Sequence, residues 1–444
     1  MTTTTSTTAP AAPVAGVLAS LSLSMLLPSL AISSANVALP SLAQAFGASL
    51  AQVQWVVLAY LLATTLLIVG AGRLGDLIGR RRLLLAGIAL FTTASLLCAW
   101  TPTLPLLVAA RALQGVGAAA LMALPMALVG AMLPKARAGN AMGLLGTMSA
   151  VGTALGPSLG GLLIEASGWR AVFAANLPLG LLAFALAWRC LPPDRAQGVA
   201  ADFDRAGTLW LALALGAYAL AMTRHLGLLA VAAFALLLFV RAEARASSPL
   251  VPLERLRDAR LSRGLAMSAA VSAVMMATLV IGPFHLGGAL GLGAAAVGAL
   301  MSVAPVVSAF SGVPSGRLVD RFGPRRMTQM GLAAMAAGCG LIALAPASLG
   351  AVAYVGPLVL VAPGYALFQA ANNTAVMAGA SAGERGMVSG LLALSRNLGF
   401  ITGASAMPTL FGWGGLPLGF AAATGLAVLA LALARDGENK NHSC

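Results

Sequence analysis

The sequence predicts an all-α membrane protein: two six-helix bundles with an inserted helix pair between them, fourteen transmembrane helices in all. Three observations carry that expectation. The 444-residue chain is 59% hydrophobic and only 9% charged, where a soluble domain carries roughly a quarter charged residues. Apolar segments recur along it, most of them reaching the roughly 17–25 residues that cross a bilayer. Two charged knots, Gly72-Arg-Leu-Gly-Asp-Leu-Ile-Gly-Arg-Arg-Arg82 and Gly316-Arg-Leu-Val-Asp-Arg-Phe-Gly-Pro-Arg-Arg326, stand 244 residues apart and repeat Arg, Asp, Gly and Arg-Arg at the same spacing.

The segments, numbered here as spans 1 to 14, cover 15–39, 52–71, 83–100, 104–133, 140–164, 169–189, 207–222, 226–240, 264–287, 295–315, 327–346, 350–379, 387–410 and 416–434. Charge parity orients them. Counting gaps from a cytoplasmic N-terminus, 22 of the 26 basic residues fall on one side, leaving Arg170 and Arg224 opposite and Arg111 and Arg396 inside spans. Positive charge marks the cytoplasmic side, so both termini are expected there, in a cell (plasma) membrane. Reading 207–240 as one span would invert everything after it, so that stretch contributes two spans.

A second echo, Gly139-Asn-Ala-Met-Gly143-Leu-Leu against Gly386-Met-Val-Ser-Gly390-Leu-Leu, is offset by 247 residues and supports duplication. The expected organisation is a tail (1–14), a first bundle (15–190), a linker with the inserted pair (191–263), a second bundle (264–434) and a tail (435–444). Parallel repeats of this kind, with a site at their interface, are a transporter architecture.

Composition also excludes. The net charge of +14 is spread over short inter-span clusters that suit anionic lipid, so membrane lipid and not nucleic acid is the expected partner. Cys98, Cys190, Cys339 and Cys444 are far apart, and His225, His285 and His442 are dispersed, so neither a metal nor a cofactor is expected. The chain contains no HExxH and no GxxxxGK[ST] loop, and it is read as a non-enzyme.

Between spans 2 and 3, Asp76 sits among Arg73, Arg80, Arg81 and Arg82, with Gly72, Gly75 and Gly79 removing side chains where backbones approach. A carboxylate there can accept from a helix N-terminus and balance guanidinium charge. Gly72, Arg73, Asp76, Gly79, Arg80, Arg81 and, in the second copy, Asp320 form a candidate conformational latch. Pro324 in place of Arg80 makes the second copy the weaker one. In span 5, Gly152, Gly156 and Gly160 repeat at i, i+4, i+8, flanked by Pro157 and Gly161, a face that admits close helix packing. Its expected place is the interface between bundles.

The 72–81 pattern resembles the loop 2–3 signature of the major facilitator superfamily. Arg111-Ala-Leu-Gln114-Gly-Val-Gly in span 4 is similar to that family's membrane-embedded arginine motif, and 152–161 to the motif of its antiporters. Asn36-Val-Ala-Leu-Pro40, Gln54-Trp55, Tyr60 and Pro-Leu-Val-Pro-Leu at 249–253 resemble the fourteen-helix drug/proton antiporter branch. The resemblance implies a secondary transporter with a small-molecule substrate, export as its direction and protons as a coupling ion. It also implies that spans 1, 4, 9 and 12 line a central cavity.

Polar stripes fall on two of those spans: Ser22, Ser29, Ser33 and Asn36 in span 1, and Tyr365, Gln369, Asn372 and Asn373 in span 12. Such side chains either face a cavity or hydrogen-bond neighbouring helices. Arg111 and Gln114 join them as cavity candidates because an intramembrane arginine needs a partner or water. Met275 and Met276 would add an adaptable apolar wall. One departure matters. The branch typically has an Asp five residues before the Asn of the Asn-Val-Ala-Leu-Pro run, and here that position is Ala31. His285, Glu165 and Asp76 are the remaining titratable candidates. A transporter of a neutral or anionic metabolite without proton coupling, or a receptor on the same fold, stays open beside the exporter reading.

Overall fold

The computed structural model describes residues 14–132, 135–194, 205–223, 225–245, 255–379 and 385–439; the side chains of Arg73 and Asp76 are outside that description. No strand occurs among the described residues. The first half holds α1 (Val14–Phe46), the short α2 (Leu50–Val53) leading into α3 (Trp55–Ile78), α4 (Arg80–Trp100), α5 (Leu104–Met132), α6 (Lys135–Ser167), and α7 (Arg170–Ala174) leading into α8 (Asn176–Cys190). Next come α9 (Arg205–Thr223) and α10 (Leu228–Glu243). The second half holds α11 (Ala259–Pro283), continued by a π-helical turn at Phe284–Ala289, then α12 (Ala294–Phe322), α13 (Pro324–Leu344), α14 (Ala351–Ala378) and α15 (Arg385–Asn439).

Twelve helices among the described residues are long and apolar enough to cross a bilayer, against the fourteen expected. Two features account for the difference. α15 is one assignment over two helices: Gly414 (φ −141°, ψ 19°) and Gly415 (φ 64°, ψ −158°) leave helical geometry between the expected spans 13 and 14. The positive φ at Gly415 is one that glycine tolerates without a Cβ clash. And α10, at 16 residues, is shorter than a full crossing. Observed helices also overrun the expected spans. α1 continues seven residues past Leu39, straight through Pro40, because lipid offers the backbone no alternative partner and a proline removes only one helical bond.

Both halves are assembled around the same kind of contact. In the first, α4 crosses α5 with Gly117 so close that a Cβ there would lie 2.7 Å from Phe91 N and 2.8 Å from Gly87 O. In the second, α13 crosses α14 with Gly331 and Gly364 in the same relation: a Cβ on Gly331 would sit 2.7 Å from Gly364 O, and one on Gly364 would sit 2.8 Å from Gly331 O. Gly87 and Gly331 are 244 residues apart, and Gly117 and Gly364 are 247 apart, the offsets of the two sequence echoes. Because lipid tails are as apolar as leucine, helices in a membrane associate through close packing and hydrogen bonds instead of apolar burial. Backbone-to-backbone crossings supply that packing.

The halves meet chiefly where α6 packs on α12, α3 on α15 and α1 on α11. The pair α9–α10 packs on itself and lies against both α3 and α15. Tyr218 Oη donates to Thr402 Oγ1 at 3.2 Å, and Thr409 Oγ1 donates to Met222 O at 3.1 Å, fastening α9 to α15.

Gly117→Leu is expected to cost about 1–3 kcal/mol or more through overpacking. Gly146→Leu, where no described atom lies within 4 Å, is expected to leave the unfolding midpoint of the purified protein unchanged. A similar loss in both variants would refute the crossing as the stabilising contact.

Candidate functional site

The first knot is a fastening point within its own half. Gly79 ends α3 with φ 103°, and α4 begins at the next residue. Arg80 Nη1 donates to Ala127 O of α5 at 2.9 Å, and Arg81 Nη2 donates to Trp188 O of α8 at 2.7 Å while its guanidinium lies 5.3 Å from the Trp188 ring centroid. The backbone N–H groups of Arg81 and Arg82 donate to the two carboxylate oxygens of Asp194 at 2.8 and 3.0 Å. Asp194 is the residue that sequence reasoning missed. It lies 113 residues from Arg81 in a loop with no motif of its own, and only the folded geometry carries a signal for it. Asp320 of the second knot is exposed. The proposed roles of Arg73 and Asp76 concern side chains outside the described residues.

The glycine stripe of α6 does not line the interface between bundles as expected. Gly152, Gly156 and Gly160 pack on α1: a Cβ on Gly156 would lie 2.5 Å from Ser33 Cβ and 2.9 Å from Ser34 N, and one on Gly160 3.2 Å from Ser34 Cα. The residue one step on, rotated by about 100°, is the one that reaches the other bundle. Gly161 and Gly298 of α12 are mutually in contact, each Cβ position lying 2.9 Å from the other's Cα, and Pro157 O also presses on Gly298. Glu165 closes this seam: its Oε2 accepts from Ala295 N at 3.0 Å, in the first turn of α12.

At the other ends of the same two helices the seam is open. A Cβ on Gly143 or Gly146 of α6, or on Gly312 or Gly316 of α12, would meet no described atom within 4 Å. Gly143 is 18 residues from Gly161, and Gly316 is 18 from Gly298. At about 3.6 residues per turn that is five whole turns. The open glycines therefore occupy the same helix faces as the closed ones, in the same antiparallel register.

Arg111 is wholly buried inside the first bundle. Its guanidinium stacks 4.3 Å from the Tyr60 ring centroid, Nε donates to Val56 O at 2.8 Å and Nη1 to Gln114 Oε1 at 2.5 Å. Gln114 Nε2 donates in turn to Ser95 Oγ at 2.7 Å, so a single polar chain ties α3, α4 and α5. Neither Arg111 nor Gln114 opens onto a cavity in this conformation. The α1 stripe is likewise consumed in packing. Ser29 Oγ and Ser149 Oγ share a 2.6 Å hydrogen bond and Ser33 Oγ donates to Thr153 O at 2.8 Å, both joining α1 to α6. Asn36 Nδ2 donates within its own helix, to Ile32 O at 2.9 Å. In the second half Met276 is buried against Gly403, and Asn372 Nδ2 donates to Gly264 O at 3.1 Å. Met275, Tyr365, Gln369 and Asn373 are only half-buried, and Gln369 Nε2 donates to Tyr365 Oη at 3.0 Å. Asn373 lies one turn beyond Gln369 on α14, and Gln369 Oε1 and Asn373 Oδ1 are buried without a hydrogen-bond partner among the described residues.

The Major Facilitator Superfamily model matches residues 21–404 of this chain. The chain belongs to the major facilitator superfamily. Among its relatives, the uncharacterized transporter YebQ of Escherichia coli K12 is 32% identical over 408 residues, covering 89% of each chain. The multidrug resistance protein Stp of Mycobacterium tuberculosis is 32% identical over 84% of this chain and 71% of its own length. The crystal structure of a D-xylose-proton symporter superposes with a TM-score of 0.72 over 95% of this chain at 15% identity, a likeness of fold. The superfamily member described here is thus a multi-pass transporter of the membrane, and its relatives are transporters, not enzymes.

Arg111→Ala removes donors from Val56 O and Gln114 Oε1, at about 1–3 kcal/mol each, and the stacking on Tyr60, worth about 2 kcal/mol when desolvated. Tyr60→Phe keeps the ring and loses only the 3.2 Å bond to Pro28 O, about 1 kcal/mol. Thermal unfolding should separate the two variants clearly; equal losses would refute Arg111 as the tie.

Proposed function

We propose that this protein is a secondary transporter that works by alternating access and exports small, largely apolar compounds. The observation that carries the reading is the α6–α12 seam, closed at Gly161–Gly298 and open five turns away at Gly143–Gly316. Two bundles rocking about their midplane would exchange these contacts: as the first pair separates, the second meets. The open end lies at the basic face, which the charge distribution assigns to the cytoplasm, so this conformation faces inward. Fourteen spans, with α9–α10 as the inserted pair, complete the proposed topology.

Substrate contact is assigned to the half-buried Met275, Tyr365, Gln369 and Asn373. Ser33, Asn36, Arg111, Gln114, Met276 and Asn372, enclosed here, act as their supporting packing. Export of apolar compounds draws on the name of the Stp relative and on the methionine wall. A second reading, transport of a neutral or anionic metabolite without proton coupling, is favoured by Ala31, which is buried in an apolar cluster where the resembling branch has an acid.

Counterflow in proteoliposomes with a compound panel, with and without a pH gradient, separates these readings. Gradient-sensitive export supports antiport; gradient-independent flux supports the second reading; binding without flux would overturn both. The seam is tested by Gly143→Cys with Gly316→Cys in a background whose native cysteines are replaced. The pair should cross-link weakly in the resting protein and several-fold more when Gly298→Leu wedges the opposite end apart. Cross-linking that does not respond to the wedge would refute the exchange of seams.

A further inference from the structure

The N-terminus of α12 is capped by the other half of the molecule. Its N-cap residue is Gly293, which has no side chain to offer the first-turn N–H groups. An N-cap side chain accepts from the second or third N–H of a helix. Here that acceptor is Glu165, whose Oε2 takes the Ala295 N–H at 3.0 Å and lies 3.7 Å from where a Gly293 Cβ would stand. Glu165 is four residues past Gly161, and Ala295 is three before Gly298. The bond therefore sits one turn outside the closest backbone contact of the seam, on the face opposite the basic one.

Among the described residues this carboxylate is left alone with that helix end. Every other acid of the chain lies in the gaps or the tail of the basic face. α1 carries no charged residue, and α12 carries none before Arg317. Arg111 of α5 is enclosed with Tyr60 and Gln114. Arg170 of α7 lies 4.3 Å from the Trp169 ring centroid and donates to Thr101 O at 3.4 Å. His285, in the π-helical turn, has its ring 6.2 Å from that of Tyr354. Glu165 itself is exposed, so protons of the medium at that face reach it directly.

We propose that Glu165 is a proton-operated latch on this end of the seam. As a carboxylate it holds α12 through a charge-assisted hydrogen bond and through the positive end of the helix dipole. A proton taken from the medium onto the carboxylate removes that charge. The neutral acid still offers its carbonyl oxygen, but in a neutral bond roughly half as strong. Water then takes its place at the helix end as the halves part. Acidifying this face therefore opens the seam, and proton uptake there is tied to the exchange of seams. The latch acts only if the halves rock, so it rests on the alternating-access reading above.

Electron–electron double resonance on the reconstituted full chain tests it. Spin labels at Ser167→Cys and Ala299→Cys, both exposed positions, read the separation at this end once the native cysteines are replaced. Gly298→Leu, which wedges the seam, supplies the reference distance for the open end. In the otherwise wild-type chain the open population should rise several-fold as the medium goes from about pH 7 to about pH 4, across the range in which carboxylates titrate. Glu165→Gln keeps an acceptor and the shape without the charge, and should hold the raised population at both pH values. A pH response that survives in Glu165→Gln would overturn the proposal; its loss in His285→Gln would then place the switch in the π-helical turn. An opening produced by the wedge but by neither acid nor Glu165→Gln would overturn it as well, leaving the rocking halves intact. If the wedge gives no second distance, the exchange of seams itself fails, and the latch falls with it.

Discussion

Contact between helix backbones through glycine is the constraint on which the rest of this structure depends. In lipid, burying leucine against leucine gains little, so a bundle is held where chains approach closely enough for dispersion and hydrogen bonding to act. Gly87 and Gly117 do this in the first half, Gly331 and Gly364 in the second. The same device holds the halves to each other at Gly161 and Gly298. The chemistry is the same within and between bundles, but the extent differs. Inside a half the crossings are backed by polar ties such as Arg111–Gln114–Ser95, whereas the seam is backed by one carboxylate on a helix terminus. Rigid halves joined by a lighter seam follow from that difference.

The buried arginine illustrates how a costly group is accommodated. Desolvating a guanidinium is expensive, and the described surroundings of Arg111 provide no carboxylate. They provide an aromatic face, a backbone carbonyl and an amide oxygen. Each spreads the charge without requiring a titratable partner. An arginine held this way is well suited to fixing the mutual tilt of three helices.

Much of the fold could be read from the sequence. The run of long apolar helices and the repeat that relates the two halves follow from apolar length and a repeated motif, both of them local or periodic signals. The candidate site was less legible. The α1 serines gave two open readings, and Ser29 and Ser33 proved to join α1 to α6 because their hydroxyls lie opposite the glycine stripe. The stripe itself was assigned to the wrong neighbour, since a one-residue step decides which helix a face meets. Asp194 could not be found at all, because its partner is a backbone turn more than a hundred residues away. The break in α15 was legible only as a Gly-Gly pair, with no sign of its backbone angles.

The inserted pair has a mechanical consequence. The chain leaves the first half through Asp194, which is anchored on the first knot, and then enters α9, which lies against α3 and is hydrogen-bonded to α15. A strut fastened at its root to one body and along its length to another cannot remain at rest when the two tilt. It must shear along one of its faces. The side held by hydrogen bonds, α15, resists. The pair is therefore held to move with the second body, while Asp194 keeps its root on the first.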